Sequence, residues 1–585
     1  MYIPIEEKII KFIFNHIIKY ILISQIFYAT ELLANDYSRS NPETSSGKQS
    51  ISKSISNNYM IVTADRRATM AAESVLALGG SALDAAIAAQ NVLSVIEPQS
   101  SGLGGGGFLL YYNNIKKNLQ AWDGRETAPL SATANMFLTK NDSKINFLDA
   151  VNNSSSIGIP GLYSMLADAH AENGKIKWYK LFDAAIKYSE GFVISPRLNK
   201  LLDWAPHLKN NAFAQSTYYY NDKPKKVGAI ITNLKLKESL KSLSKNPYSI
   251  NTGIIAEKIS NKLAGYISIR DLKNWKTIKR KPLCKRIIGF RICGFPPPTS
   301  GGVSTIQILG ILANKIDQLN KENVLVASHL FLEASRLAYL DRAAYIADPA
   351  YFGVPITELI SNDYLKKRAS LINLTNHTLD FKKGNLLTFN NSNINAGNNY
   401  DKKSTTHISI VDKYGNAAAL TSSIEFAFGS GISVGGFFLN NQLTDFSFYD
   451  KDVEGEIIAN SVAPGKKPRS SMAPTIIFEK DNLLGVIGSP GGSRIICYVA
   501  KTIFEILYLN TDPAEAITKP HLCSRDQYSE IEEQEKTTSL IQGLKDKGHR
   551  TKTKKMTSGL NIIWRTGNYW LGIADNRREG YAFGN

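Results

Sequence analysis

The sequence of 585 residues predicts a mixed α/β fold whose second half is rich in β-strand. Three observations lead to this prediction. An alanine-rich helix is expected from Ser81 to Val95, an apolar strand is expected at Phe108–Tyr112, and a β-hairpin is expected from Ser404 to Gly429. A chain of this length is also long enough to bury a large core.

The first predicted elements lie at the start of the folded part, which we place near Tyr59. Met60–Thr63 reads as a strand. Ser81 is a good helix N-cap, and Asp84 stands three residues later, where a capping box places its acidic partner. The sequence therefore predicts a strand followed by a well-capped helix.

The glycine-rich stretch Gly102–Gly107 formally matches the GxGxxG pattern of dinucleotide-binding loops. Such a loop needs a strand before it and a helix after it. Here a predicted helix comes before the glycines and the predicted strand Phe108–Tyr112 comes after them. The pattern therefore does not predict a dinucleotide site, and we expect the glycines to permit close backbone packing.

The predicted hairpin of residues 404–429 turns at Gly415-Asn416 and carries an unusual number of polar side chains. A strand alternates its side chains between two faces. The residues expected on one face of each strand are Thr405, His407 and Ser409, and then Thr421, Ser423 and Glu425. This pattern fits either a solvated strand face or a buried polar site in which every hydroxyl group has a hydrogen-bond partner.

The composition is basic, with 69 Lys and Arg against 51 Asp and Glu and a formal net charge of +18. The lysines are scattered along the chain, and no module that combines aromatic and basic residues is recognisable. We therefore expect no nucleic-acid partner and assign the charge to a solvated surface.

Residues 1–34 are predicted to be a signal peptide, with an N-terminal anchor or an amphipathic helix as the alternatives. Three lysines precede the apolar stretch Tyr20–Ala29, which is too short to span a bilayer. Cleavage is expected after Ala29 or Ala34. Residues 35–58 are rich in Ser, Asn and Lys and read as a linker. These features predict a periplasmic or secreted protein, or a membrane-anchored one if the segment is retained.

The chain contains four cysteines and no CxxC pair, so neither a zinc site nor a thioredoxin-type centre is expected. Cys284 and Cys293 flank a short segment that can close as a hairpin with a disulfide in an oxidising compartment. Cys497 and Cys523 are expected to be buried free thiols.

The order of residues in the hairpin resembles a known junction. T-T-H-x-S-I-V-D-x-x-G-N followed by T-x-S-I-E-x-x-F-G is similar to the signature of the gamma-glutamyltranspeptidase family. In that family a threonine heads the small subunit of an N-terminal-nucleophile hydrolase. The resemblance implies cleavage between Ser404 and Thr405, a large subunit of residues 59–404 and a small subunit of residues 405–585. It also implies a four-layer αββα sandwich formed jointly by both subunits. The departures are Ala418, where Val is usual, and Ser423, where Thr is usual.

Other segments resemble this family in the same order along the chain, and they imply roles for single residues. Thr405 would be the nucleophile and Ser423 would position it. The implied oxyanion donors are the backbone amides of Gly491 and Gly492. The side chains that would hold the α-carboxylate of a glutamyl group are Arg125, Ser470 and Ser471, and those that would hold its α-ammonium are Asp445, Gln442 and Glu425.

The resemblance implies a self-cleaving enzyme that takes the γ-glutamyl group from glutathione or related γ-glutamyl compounds. The acceptors would be water, amino acids or short peptides, the two subunits would form a heterodimer, and no metal or organic cofactor is required. The rival interpretations are a cephalosporin (glutaryl) acylase-like amidohydrolase and a non-catalytic binding protein on this scaffold. Between Asp445 and Ser470 aromatic residues stand only near the start of the segment, Phe448 and Tyr449 among them, and no lid residue can be assigned.

Overall fold

The structure is a computed structural model that describes residue 45 and residues 50–386, 404–452, 455 and 457–585. The predicted signal peptide and most of the predicted linker lie outside the described residues. Of the rest of the linker, residues 52–56 form a strand, so the folded part begins before Tyr59 and the linker prediction is wrong there.

The described strands are numbered in chain order. They are β1 (Ser52–Ser56), β2 (Met60–Thr63), β3 (Gly106–Asn113), β4 (Asn118–Asp123), β5 (Phe192–Val193), β6 (Tyr219–Tyr220), β7 (Lys223–Pro224), β8 (Ile230–Ile231), β9 (Ile278–Arg280), β10 (Leu283–Ile287), β11 (Phe290–Gly294), β12 (Ser404–Val411), β13 (Ala417–Glu425), β14 (Ser433–Val434), β15 (Phe437–Phe438), β16 (Thr475–Glu479), β17 (Asn482–Gly488), β18 (Leu522–Ser524), β19 (Ser529–Glu532), β20 (Thr551–Lys554), β21 (Asn561–Thr566), β22 (Tyr569–Ala574) and β23 (Tyr581–Gly584).

The described α-helices are numbered in the same way. They are α1 (Arg66–Ala77), α2 (Ala82–Ile96), α3 (Phe147–Val151), α4 (Leu162–Asn173), α5 (Asp183–Glu190), α6 (Pro196–Trp204), α7 (Ala212–Tyr218), α8 (Leu234–Lys245), α9 (Ser249–Thr252), α10 (Ile254–Lys262), α11 (Ile269–Asn274), α12 (Gly301–Ala313), α13 (Val324–Tyr345), α14 (Ile356–Leu359), α15 (Asn362–Ser370), α16 (Ile495–Leu507), α17 (Pro513–Ala516) and α18 (Thr538–Asp546). Short 3₁₀ helices lie at Ser154–Ser156, Trp178–Phe182, Pro206–Leu208, Ile316–Gln318, Gln442–Asp445, Gly492–Arg494 and Glu535–Thr537.

Two seven-stranded sheets form the centre of the molecule. The first has the strand order β1-β22-β21-β17-β16-β11-β10, and the second has the order β23-β2-β12-β13-β3-β4-β9. The predicted hairpin is β12–β13, and it occupies the middle of the second sheet with β2 on one side and β3 on the other. Every residue of β12 and β13 is buried, so neither face of the hairpin reaches solvent.

The alternation along the strands divides the core into two layers. Leu109 and Ile408 face outward and pack with the helices α1 and α2. Leu110 and Val411 face the other way, towards the first sheet, which is covered in turn by α12, α13 and α16. The order helix, sheet, sheet, helix confirms the predicted αββα sandwich.

The predicted helix is α2, and its start is fixed by the predicted capping box between Ser81 and Asp84. A second carboxylate, which belongs to the hairpin, also binds the start of this helix. Asp412 accepts a hydrogen bond from the backbone N–H of Ala82 (2.9 Å) and others from the turn residues Tyr414 and Asn416. Asp412 therefore ties the central hairpin to the helix packed over it.

Both pairs of cysteines are joined in disulfides. Cys284 and Cys293 face each other across β10–β11 with their Cα atoms 4.1 Å apart, in the pairing that the sequence suggested. Cys497 in α16 is bonded to Cys523 in β18, with a Cα separation of 5.5 Å. The expectation of free thiols at Cys497 and Cys523 was therefore wrong, because the chain folds these distant positions against each other.

Candidate active site

The pair Ser404-Thr405 begins the central strand β12, at an irregularity of its register with β13. Ser404 lies opposite Glu425, and Thr405 lies opposite Ser423. The Thr405 hydroxyl donates to Ser423 Oγ (3.3 Å), and the Ser423 hydroxyl donates to the backbone carbonyl of Ser404 (2.7 Å). Ser423 therefore contacts both the candidate nucleophile and the carbonyl group that it would attack.

His407, Ser409 and Thr421, on the same polar face, lie between the two sheets, and each is hydrogen-bonded. His407 is paired through Nδ1 with Thr421 Oγ1 (2.8 Å) and through Nε2 with Ser409 Oγ (3.0 Å). Burial lowers the pKa of His407 to about 3, so its ring is neutral at physiological pH. The interpretation as a solvated strand face is wrong, and the buried alternative is correct.

Arg125 is fully buried and held by three acceptors, a carboxylate and two backbone carbonyl groups. Its Nη2 lies 2.6 Å from Asp445 Oδ2 and 3.1 Å from the carbonyl oxygen of Arg469, and its Nε donates to the carbonyl oxygen of Pro468 (3.0 Å). Its Nη1 lies 3.7 Å from Glu126 Oε2 and has no hydrogen-bond partner within the described part of the chain. Arg125 thus keeps one buried donor nitrogen for a further anion.

The acidic side chains lie beside Arg125 and are held by amides. Gln442 Nε2 donates to Asp445 Oδ2 (2.7 Å), and Asn441 Nδ2 donates to Glu425 Oε2 (3.0 Å). These contacts orient both carboxylates towards the same small cavity beside Thr405. No role is assigned to Asn441 from the sequence, although this residue immediately precedes Gln442.

The serine pair is oriented by a second buried arginine. Arg342, in α13, donates from Nη2 to Ser471 Oγ (2.8 Å) and from Nε to Ser300 Oγ (2.7 Å). Burial lowers the pKa of Arg342 to about 10, which leaves it charged at neutral pH. Ser470 Oγ accepts a hydrogen bond from the Met472 amide (3.1 Å). No feature of the sequence places Arg342 in the site, because its helix is far from the serines along the chain.

Gly491 and Gly492 form a turn that leads into the 3₁₀ helix Gly492–Arg494 and then α16. Their φ angles are +135° and +60°, which favour glycine. A side chain at Gly491 would also collide with the ring of Tyr498. The amides at such a helix start are free of helical partners and suit an anion.

These residues enclose a cavity of about 20 Å³, which is room for one water molecule. Thr405 lies in its wall, and nine of the ten predicted catalytic and substrate-binding residues line it. They are Arg125, Thr405, Ser423, Glu425, Gln442, Asp445, Ser470, Ser471 and Gly492. The tenth residue, Gly491, does not line the cavity, but it immediately precedes Gly492, which does.

A polar network on the other side of the Ser404-Thr405 bond was not predicted. The Ser404 hydroxyl donates to Ser100 Oγ (3.3 Å), and Arg197 contacts Ser100 Oγ and Glu97 Oε1 (3.4 and 3.0 Å). Arg578 Nη1 donates to the carbonyl oxygen of Thr405 (3.1 Å). These residues come from four distant segments, so no local pattern identifies them.

The aromatic residues after Asp445 do not line the cavity. Phe448 is buried and stacks on Phe137 with ring centres 4.5 Å apart, while the Lys144 ammonium lies over Tyr449 at 4.5 Å. Neither residue covers Thr405, so the structure assigns no lid residue within its described range.

Among the described residues, one group has a metal-like set of side chains, formed by Glu333, His377 and His549. His377 Nε2 already accepts a hydrogen bond from Arg336 Nη1 (3.0 Å), and its Nδ1 lies 2.6 Å from Glu333 Oε1. A cation would have to displace the arginine to reach this nitrogen, so the residues present do not fit a metal. The group lies outside the cavity at Thr405.

None of the helices in the described part of the chain is both long enough and apolar enough to cross a membrane.

The comparisons with known proteins agree on one family. The family model for gamma-glutamyltranspeptidase matches residues 68–585. The chain is 33% identical over 546 residues to a glutathione hydrolase proenzyme from Bacillus subtilis (strain 168), covering 90% of this chain and 91% of that protein. It is 33% identical over 476 residues to a protein of the same name from Escherichia coli (strain K12), covering 79% of this chain and 80% of that protein.

A solved structure supports the fold alone. The crystal structure of cephalosporin acylase from Bacillus halodurans matches with a TM-score of 0.79 at 22% identity, over 92% of this chain and 97% of that one. The identity is too low to transfer an activity, whereas the glutathione hydrolases match more closely in sequence over most of their length. The chain therefore belongs to the gamma-glutamyltranspeptidase family and is an enzyme of the N-terminal-nucleophile hydrolase class.

Proposed function

We propose that this γ-glutamyltranspeptidase is made as a precursor that cleaves itself between Ser404 and Thr405 and then uses Thr405 as its nucleophile. The observation that carries the proposal is the position of Ser423. Its hydroxyl donates to the Ser404 carbonyl and accepts from Thr405 Oγ1. A hydrogen bond to a carbonyl oxygen stabilises the negative charge that develops there during attack.

The cleavage proceeds by an N-to-O shift. Thr405 Oγ attacks the carbonyl carbon of Ser404, the bond from that carbon to the Thr405 nitrogen breaks, and the nitrogen takes the proton from the hydroxyl. The resulting ester joins Ser404 to Thr405 Oγ. Water then hydrolyses the ester and leaves a carboxylate on Ser404 and a free α-amine on Thr405.

The new α-amine serves as the base for catalysis. Its ordinary pKa of about 7.7–8.0 allows it to accept the Thr405 hydroxyl proton near neutral pH. The activated oxygen attacks the γ-carbonyl carbon of the substrate, and the amine of the leaving group receives the proton. Backbone amides at Gly491 and Gly492 hold the oxyanion, and water or an acceptor amine then takes the γ-glutamyl group from Thr405.

The charged residues explain how a γ-glutamyl group is recognised. Its α-carboxylate and α-ammonium sit on the same carbon, so their partners must be adjacent. Arg125 and Asp445 meet this requirement, with 2.6 Å between Nη2 and Oδ2. The free Nη1 of Arg125, with Ser470 and Ser471, would meet the carboxylate. Asp445, Glu425 and Gln442 would meet the ammonium.

The size of the cavity indicates that cleavage also opens the site. A volume of about 20 Å³ cannot hold a glutamyl group, and in the uncleaved chain Ser404 still precedes Thr405. Separation of residues 59–404 from residues 405–585 frees Ser404 to withdraw. The two chains stay together because β12 and β13 are paired with β2 and β3 in one sheet.

We also propose export by the N-terminal segment, which gives a periplasmic or secreted enzyme. Two disulfides support an oxidising compartment. The proposed substrates are glutathione and related γ-glutamyl amides, and the proposed acceptors are water, amino acids and short peptides.

The assay that tests the substrate class compares two anilides that differ at one position. γ-Glutamyl anilide carries the α-ammonium, and glutaryl anilide lacks it but keeps the carboxylate. We expect kcat/KM to be at least about 100-fold higher for γ-glutamyl anilide, because glutaryl anilide lacks the α-ammonium that Asp445 and Glu425 would contact. Equal values, or a preference for glutaryl anilide, would favour the acylase alternative.

A further inference from the structure

A second and larger cavity lies away from the candidate active site. Its volume is about 520 Å³, which is within the range of small-molecule sites. It is bordered by the amino end of α13, the carboxyl end of α16 and the chain around β18 and α18. Its walls are mainly apolar, and the large side chains among them are Phe331, Phe504, Leu509, Leu522 and Leu540.

Basic residues outnumber acidic ones among the charged residues that line this cavity. Four are lysines, namely Lys321, Lys501, Lys519 and Lys536, and the one acidic residue is Glu505. Glu505 is shared, because its Oε1 lies 3.1 Å from Lys501 Nζ and its Oε2 lies 2.9 Å from Lys519 Nζ. Glu505 therefore faces two ammonium groups, of which Lys519 Nζ also lies 3.5 Å from Glu515 Oε1 outside the lining. The other two lysines, Lys321 and Lys536, are exposed.

Lys501 is the residue that points to a ligand. Only 3% of it is exposed, yet among the described residues its Nζ has no hydrogen-bond partner of good geometry and Glu505 is its one ion-pair partner. An ammonium group carries three donors, and leaving them unsatisfied away from water is unfavourable. A second anionic acceptor inside the cavity would satisfy them.

We propose that this cavity binds an apolar monocarboxylate, with the carboxylate on Lys501 and Lys519 and the hydrocarbon body against Phe331, Phe504 and Leu540. The charge excess disfavours amines, and the apolar walls disfavour small ions with several charges. A neutral molecule of the same length would bury the same apolar area but would leave the Lys501 donors unsatisfied.

This site does not overlap the catalytic centre. Lys501 lies in the middle of α16, whereas the amino end of that helix follows the 3₁₀ helix that begins at Gly492. No residue lines both cavities. Binding can therefore be measured with Thr405→Ala protein, and the result does not depend on whether the proposed self-cleavage occurs.

The experiment is calorimetric titration of the full chain with decanoate, decanol and decylamine below the concentrations at which they form micelles. We expect decanoate to bind at one site at least about tenfold more tightly than decanol, and decylamine not to bind there. Lys501→Met keeps most of the side-chain volume and should weaken decanoate binding at least tenfold without weakening decanol binding. Equal binding of decanoate and decanol, or an unchanged affinity in Lys501→Met, would overturn the proposal.

Two exposed lysines provide a matched control that does not disturb the core. Lys536 lines the cavity opening, and Lys545 lies in α18 outside it. Lys536→Gln should weaken decanoate binding about threefold at low salt, whereas Lys545→Gln should not change it. Equal effects of the two substitutions would indicate non-specific attraction to a basic surface and would overturn the proposal even if Lys501→Met did not fold.

Discussion

At the scale of single residues, Ser423 contacts both groups that react in the proposed self-cleavage. A hydroxyl group both donates and accepts, so one side chain can contact the Ser404 carbonyl and the Thr405 hydroxyl at once. The backbone amide of Glu425 donates a third hydrogen bond to Ser423 Oγ (2.9 Å). The irregularity of register between β12 and β13 brings these three groups together.

Ser423→Ala removes the donor to the Ser404 carbonyl. We expect self-cleavage to slow by about 10²–10³-fold, the usual effect of losing one donor to a developing oxyanion. Ser423→Thr retains the hydroxyl and should cleave within about tenfold of the wild-type rate. The measurement is the fraction of cleaved chain against time by denaturing electrophoresis. An alanine variant that cleaves as fast as the threonine variant would show that this hydrogen bond has no role.

A second prediction concerns Arg125, whose guanidinium group meets Asp445 and two backbone carbonyls at once. Arg125→Lys keeps the charge but cannot make this set of contacts or offer the free Nη1. We expect the KM for γ-glutamyl anilide to rise at least about tenfold, with a smaller change in kcat. Self-cleavage should continue, because Arg125 does not contact Ser404 or Thr405. A normal KM in a cleaved, folded variant would remove Arg125 from substrate binding.

Only some residues of the candidate site could be predicted from the sequence. The resemblance named those that line the cavity, because they stand in short segments with characteristic neighbours. It did not name Ser100, Arg197 or Arg578, which approach the Ser404-Thr405 bond from distant segments. Their positions depend on the packing of the whole chain, and contacts between distant segments cannot be deduced from a single sequence.

At the scale of elements, the hairpin β12–β13 and the helix α2 are the parts that local sequence rules describe best. The alternation, the Gly415-Asn416 turn and the capping box at Ser81 all appear as predicted. Alternation alone did not decide between a solvated and a buried polar face. That depends on the first sheet, whose Gly488 leaves space for the His407 ring.

Asp412 connects these two elements and gives a prediction at this scale. Asp412→Asn keeps the shape of the side chain but replaces one acceptor oxygen by a donor, which opposes the backbone amides of Ala82, Tyr414 or Asn416. We expect a loss of about 2–3 kcal/mol in the free energy of unfolding, as for a buried hydrogen-bond network left unsatisfied. Urea denaturation of Thr405→Ala protein with and without the substitution measures this loss. A difference below about 0.5 kcal/mol would contradict the assigned role.

At the scale of the whole molecule, buried titratable groups set the pH dependence of stability. Burial lowers the pKa of His407 and His549 to about 3 and that of His207 to about 4, and it raises the pKa of Glu97 and Glu126 to about 7. As pH falls below about 6.5, these histidines become protonated in the unfolded state but stay neutral in the folded state. The free energy of unfolding therefore falls. The glutamates act in the opposite direction, since stability falls as pH rises from about 4.5 to 7.

The histidine contribution can be isolated with His407→Gln, which removes one titrating group. Each such group changes the free energy of unfolding by up to about 1.4 kcal/mol per pH unit between its two pKa values. We expect stability to fall less steeply from pH 6.5 to 5 in His407→Gln than in its parent, by about 1 kcal/mol per pH unit. Urea denaturation at several pH values, both in the Thr405→Ala background, provides the slopes. Parallel slopes would show that His407 is not held neutral in the fold.

The central claim is that one chain becomes two at a bond between Ser404 and Thr405, and the intact mass of the purified protein tests it most directly. We predict two chains for the wild-type protein, of which the smaller has the mass of residues 405–585, and a single uncut chain for Thr405→Ala. The two wild-type chains should elute together from a sizing column. A single uncut chain in both samples, or a break at another bond, would contradict the account.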